Sequence, residues 1–228
     1  MDAWEAAGAI GSVAAASVAA WAAHQSRSSS TAANKAASTM AQIERERRHS
    51  ELCPRFRVSC APPGTGNVEY YGRFDLRVLL VGPPALLQLD KLTVTIRDDW
   101  HRRGDWARLT IDPNSEEIKR QIWGSYRFTP GTGPDDASTD STGRETIYEA
   151  ALPVGETLLY QMEANPPPPW AKQMPLEQWQ QQQGTLLRLL FIGERAGFDP
   201  WRLACELDVG SSGETVTIEV PERGPACC

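Results

Sequence analysis

Histidine is scarce in this chain, and His24, His49 and His101 stand far apart, so no pair has the spacing of a metal site. No two of the five cysteines form Cys-x-x-Cys, and the last two, Cys227 and Cys228, are adjacent at the end. In a domain large enough to build its own core, an odd number of unspaced cysteines reads as free thiols in a reducing compartment. No Asn-x-Ser/Thr sequon occurs, in keeping with that compartment. Gly131-Thr-Gly133 lacks the Lys-Ser/Thr of a phosphate loop. Gly210-Ser-Ser-Gly213 lacks the Gly-x-Ser-x-Gly elbow and a following helix, and Cys205 falls within an apparent strand, where cysteine is usually a small buried hydrophobe. No catalytic residue, metal ligand or cofactor is assigned, and the chain reads as a non-enzyme.

Two polar clusters are weighed and set aside. Asp135, Asp136 and Asp140 lack the alternating oxygens, central Gly and closing Glu of a calcium loop, and read as a solvated loop. Asp98, Asp99 and His101 are the densest polar group; with no second His nearby, a charged hairpin turn is the better account and a sandwich-fold hydrolase the remotest reading.

A net basic charge is also lacking over most of the chain. Residues 1–23 contain no Lys or Arg, and residues 58–228 hold 16 Lys/Arg against 24 Asp/Glu, a surplus of −8. An acidic body excludes nucleic acid as the expected partner, because phosphate contacts need a basic face. Only residues 24–57 are cationic, with seven Lys/Arg against Glu44, Glu46 and Glu51.

What the sequence does have begins with 17 uncharged residues, 7–23, dominated by alanine. Asp2 and Glu5 argue against a secretory leader. Trp4 and Trp21 bracket the run where interfacial aromatics sit, Gly8, Ser12 and Ala16 are spaced for close helix approach, and Lys and Arg lie only on the C-terminal flank. The main expectation is a membrane-associated helix over 1–23, single-pass, with the body cytoplasmic. The alternative is a cytoplasmic protein whose N-terminal helix packs on the domain or mediates oligomerisation.

Residues 24–52 read as a helical basic neck. Ala33, Ala36, Met40 and Ile43 recur at three-to-four spacing and form a thin apolar stripe, fit for a short coiled coil or for a helix lying along a surface. Arg45, Arg47, Arg48, Arg55 and Arg57 are candidate contacts to anionic headgroups, the membrane-surface partner of this reading.

From Cys53 to Cys228 the period is two. Phe56, Val58 and Cys60 share a face, as do Phe74, Leu76 and Val78, and Leu92, Val94 and Ile96. Further runs lie at 108–111, 145–151, 156–163, 185–195, 201–209 and 215–220, separated by Pro- and Gly-rich breaks. Two short helices are inserted: one capped by Asp112 with Pro113 and bearing Ile118 and Ile122, the other begun by Pro175 and bearing Leu176 and Trp179. Residues 130–143, with nothing apolar larger than Ala, read as a long loop. The fold class is mainly β, an antiparallel two-sheet sandwich with two short inserted helices, preceded by a helical segment.

Asn165-Pro-Pro-Pro-Pro-Trp170 is the most distinctive surface segment. Pro166, Pro167, Pro168 and Pro169 favour polyproline II, and Trp170 and Trp179 are the candidate anchors of an interaction surface for an unidentified protein partner. The competing account is a stiff connection whose Trp covers the domain's own core. The Ala-rich first helix, its Ser/Ala–Arg neck and the Arg55-Phe-Arg-Val58 strand start resemble uncharacterised actinobacterial proteins. That resemblance implies the layout and no activity.

Overall fold

The computed structural model describes residues 3–61, 72–97, 115–134, 137–171, 174–209 and 215–218. The chain divides into two compact units, Met1–His49 and Ser50–Cys228.

The first unit is essentially one helix, α1 (Ala3–Glu51), unbroken over 49 residues. At 1.5 Å per residue it extends roughly 74 Å. The sequence divides at residue 23 into an apolar and a basic part, but no Pro interrupts the run and the helix passes straight through. No helix among the described residues is long and apolar enough to cross a membrane, so the expected single-pass span finds no support. The reason is compositional: within 7–23 only Ile10, Val13 and Val18 are strongly apolar, and two Gly and two Ser interrupt the alanines.

The second unit is a two-sheet antiparallel sandwich with small additions. Its strands are β1 (Arg55–Ala61), β2 (Phe74–Gly82), β3 (Gln88–Leu89), β4 (Lys91–Ile96), β5 (Tyr126–Phe128), β6 (Ala137–Thr139), β7 (Glu145–Tyr148), β8 (Leu152–Pro153), β9 (Thr157–Ala164), β10 (Leu186–Glu194), β11 (Trp201–Asp208) and β12 (Thr215–Ile218). Two helices are inserted, α2 (Ser115–Arg120) and α3 (Leu176–Gln183). One sheet runs β12-β1-β2-β9-β5 and the other β11-β10-β4-β7-β6; β3 and β8 pair by themselves.

Alternation decides which side chains enter. β11 alternates buried and exposed with full regularity, sending Trp201, Leu203, Cys205 and Leu207 inward. β2 does the same with Phe74, Leu76, Val78 and Leu80. Leu92, Val94 and Ile96 of β4 and Leu187, Leu189 and Phe191 of β10 face them. Phe56 of β1 stacks on Phe191 of β10 with ring centroids 5.2 Å apart, joining the two sheets across the core. Each such buried aliphatic or aromatic side chain contributes about 1.5–3 kcal/mol of transfer free energy.

Two expectations need correction. The long loop at 130–143 contains β6, which pairs with β7 in the register Ala137↔Tyr148 to Thr139↔Thr146. Its turn is ordered by Asp140, whose Oδ1 accepts hydrogen bonds from the amides of Arg144 (2.7 Å) and Glu145 (3.2 Å). The strand count also rises from eight or nine to twelve among the described residues, because β3, β5, β6 and β8 are only two or three residues long. The expected strand at 108–111 and the cap at Asp112 lie outside the described residues.

Candidate functional site

The proline run follows β9, and a clamp at its first residue sets its course. Asn165 is buried; its Nδ2 donates to the carbonyls of Ile122 (2.6 Å) and Gly124 (2.9 Å), and its amide donates to that of Ser125 (2.8 Å). One side chain thus satisfies carbonyls of the buried segment 122–125, which otherwise lack strand partners. Trp123, held there, packs between Trp170 (centroids 6.3 Å apart) and Trp179 (6.4 Å), both tilted by 48°. The Ser125 hydroxyl donates to the carbonyl of Gly184 and ties down the end of α3.

This geometry divides the six predicted interaction residues. Pro166 and Pro169 are exposed, Pro167 and Trp170 half-buried, and Pro168 buried. Trp179 is fully enclosed. The run does not stay extended, since Pro169–Ala171 form a 3-10 turn closed by the Ala171 amide on the Pro168 carbonyl (2.8 Å). The structure therefore places Trp179 in the core as the packing partner of Trp123, and leaves Pro166, Pro169 and part of Trp170 to solvent. The indole Nε1 of Trp170 is buried without a hydrogen-bond partner among the described residues.

The five candidate arginines separate into two groups. Arg45, Arg47 and Arg48 are exposed at the C-terminal end of α1. Arg47 grips Glu44 through two hydrogen bonds (2.8 and 2.9 Å) and Arg48 adds a third (3.3 Å). Hydrogen bonding from Arg47 holds the Glu44 carboxyl below its ordinary range. Arg45 turns its Nε to the carbonyl of Ala41 (3.2 Å). Arg55 and Arg57, by contrast, stand on the outward face of β1.

Among the described residues, no group of three or more His, Cys, Asp or Glu is placed to hold a metal ion. Asp98, Asp99, His101, Asp135, Asp136 and Gly210–Gly213 lie outside the described residues. Cys53 and Cys205 are buried and Cys60 half-buried, with Cys205 opposite Leu189.

Sequence reasoning passed over the outward side chains beside Arg57, namely Arg77, Leu79, Val81 and Leu159. Val78-Leu-Leu-Val81 is apolar at both parities, and that is the signal: a strand with one solvated face should alternate. Compared with known proteins, the chain matches no protein-family model, no curated protein and no solved structure.

Proposed function

We propose that this chain is a non-enzymatic interaction protein, a β-sandwich carried on a helix through which two copies associate. One observation supports the reading above the others: Trp21, Met40 and Ile43 are 66, 72 and 59% exposed on the unbroken α1. At 100° per residue these three large apolar side chains fall within an arc of about 100°, the width of a stripe that packs on another element.

Helix physics adds to this. Ser29, Ser30, Thr31, Ser38 and Thr39 turn their hydroxyls back onto carbonyls three or four residues earlier, which weakens and bends helices. Helices in proteins generally gain most of their stability by packing an apolar face. The mixed Glu44-Arg45-Glu46-Arg47-Arg48 border of the stripe suits a second copy, because it offers both signs of charge.

The test is light scattering after gel filtration, comparing the full chain with Met40→Glu/Ile43→Glu. The reading expects a mass above one chain for the first and 25.1 kDa for the second. A single-chain mass for both sinks it.

A second reading keeps the membrane, with α1 lying against an anionic surface. It is favoured by the uncharged run at 7–23 followed by cations on one flank alone. Co-flotation of the full chain with anionic vesicles, lost in high salt, is the expected result; no flotation removes this reading.

A further inference from the structure

The outward face of the β12-β1-β2-β9-β5 sheet carries both exposed apolar and exposed basic side chains. Register places its side chains in rows. Arg57 is opposite Leu79, which is opposite Thr157; one step on, Ser59 is opposite Arg77, which is opposite Leu159. Leu79 is thus diagonal to Leu159 and two residues from Val81 on the same face, so it lies between the other two and within reach of each. Val81 is 38% and Leu159 49% exposed, and Leu79 is half-buried. β5 pairs only with Met162–Ala164, so beside Leu159 the face runs out to an open edge among the described residues.

The arginines here differ from the cations around them. Arg127 and Arg73 pair with Glu163 (2.6 and 3.8 Å), Lys91 with Glu194 (3.6 Å) and Arg188 with Glu206 (2.9 Å). Among the described residues, Arg55, Arg57 and Arg77 are exposed with no carboxylate in ion-pair range, and Asp75 is the one acid in the rows beside them. Three guanidinium groups without an ion-pair partner among the described residues thus border two exposed aliphatic side chains and the half-buried Leu79, on a body that is acidic overall.

We infer that this face is a docking surface for a partner protein segment that alternates carboxylates with aliphatic side chains. Each carboxylate meets a guanidinium in the forked geometry arginine favours, while the aliphatic side chains cover Leu79, Val81 and Leu159. An anionic bilayer fits less well. It presents negative charge to the whole footprint of a body that itself carries −8, whereas a peptide segment meets only the patch.

The probe is a capped peptide of alternating Glu and Leu, titrated into the full chain by fluorescence anisotropy, with a Lys-for-Glu peptide and phosphatidylserine vesicles alongside. The acidic peptide binds, the Lys version does not, and raised salt weakens binding. Arg57→Glu/Arg77→Glu weakens it by about tenfold or more at unchanged melting temperature, and Leu159→Thr weakens it without altering its salt dependence. Binding equal for both peptides, or unchanged in both variants, overturns the inference. So does patch-dependent capture by vesicles without peptide binding, or a dimer of the chain that disappears with the same arginine substitutions.

Discussion

Tyr160 shows how a single residue in this core can be polar without being useful. Its ring is enclosed edge-on to Phe128 at 5.8 Å, and its hydroxyl has no hydrogen-bond partner among the described residues. A buried hydroxyl left unpaired costs about 1–3 kcal/mol, so Tyr160→Phe should be neutral or stabilising by about 1 kcal/mol in denaturant titration at neutral pH. Burial also pushes the phenol well above its ordinary value, with Tyr148 adding to the shift. A phenol whose folded value is raised contributes stability that is fully present below the unfolded value of 10.0 and is lost as pH climbs beyond it. Above that pH the wild type should lose about 1.4 kcal/mol per pH unit from this group, and Tyr160→Phe should lose correspondingly less. Trp179→Ala, by contrast, empties a fully enclosed site and should cost about 3–5 kcal/mol. Sequence alone leaves Trp170 and Trp179 equivalent, since a proline run beside tryptophan serves docking and packing alike. The clamp from Asn165 to Ile122 and Gly124, more than 40 positions earlier in the chain, is what separates them.

Among the elements, long alternating strands were the most legible. β2, β10 and β11 carry seven or more alternations each, and in β2 the side chains expected inward, Phe74, Leu76 and Val78, are inward. The three-residue β5 and β6 have no period to read; pairing with β9 and β7 specifies them instead. The turn between β6 and β7 carries its own signature in Gly143, which has φ +76° and sits where a Cβ would run into the Phe128 carbonyl oxygen. Gly143→Ala should therefore destabilise the sandwich by about 2 kcal/mol or more, read as a lowered melting temperature. In α1 the helical character of both parts, 1–23 and 24–52, was legible. A change in composition at residue 23 suggests a boundary, yet nothing there forbids i to i−4 hydrogen bonding, and one helix results. The sheet face bearing Arg57 and Arg77 was hidden for another reason: residues at both parities of β2 are apolar, so alternation marks its buried half and says nothing of its exposed one.

For the whole molecule, the division at His49 and Ser50 separates a unit that is essentially one helix from a sandwich with an extensive core. The sandwich has a core of buried aliphatic and aromatic side chains, whereas Trp21, Met40 and Ile43 of the helix are exposed. On the proposed reading, α1 is the part that associates and the sandwich the part that is presented. Sedimentation equilibrium of the full chain over a wide range of concentration tests that most directly. Association through α1 predicts a mass rising from 25.1 kDa toward twice that value, with the rise abolished by Met40→Glu/Ile43→Glu. A mass fixed at one chain throughout, or a rise that survives those two substitutions, contradicts it.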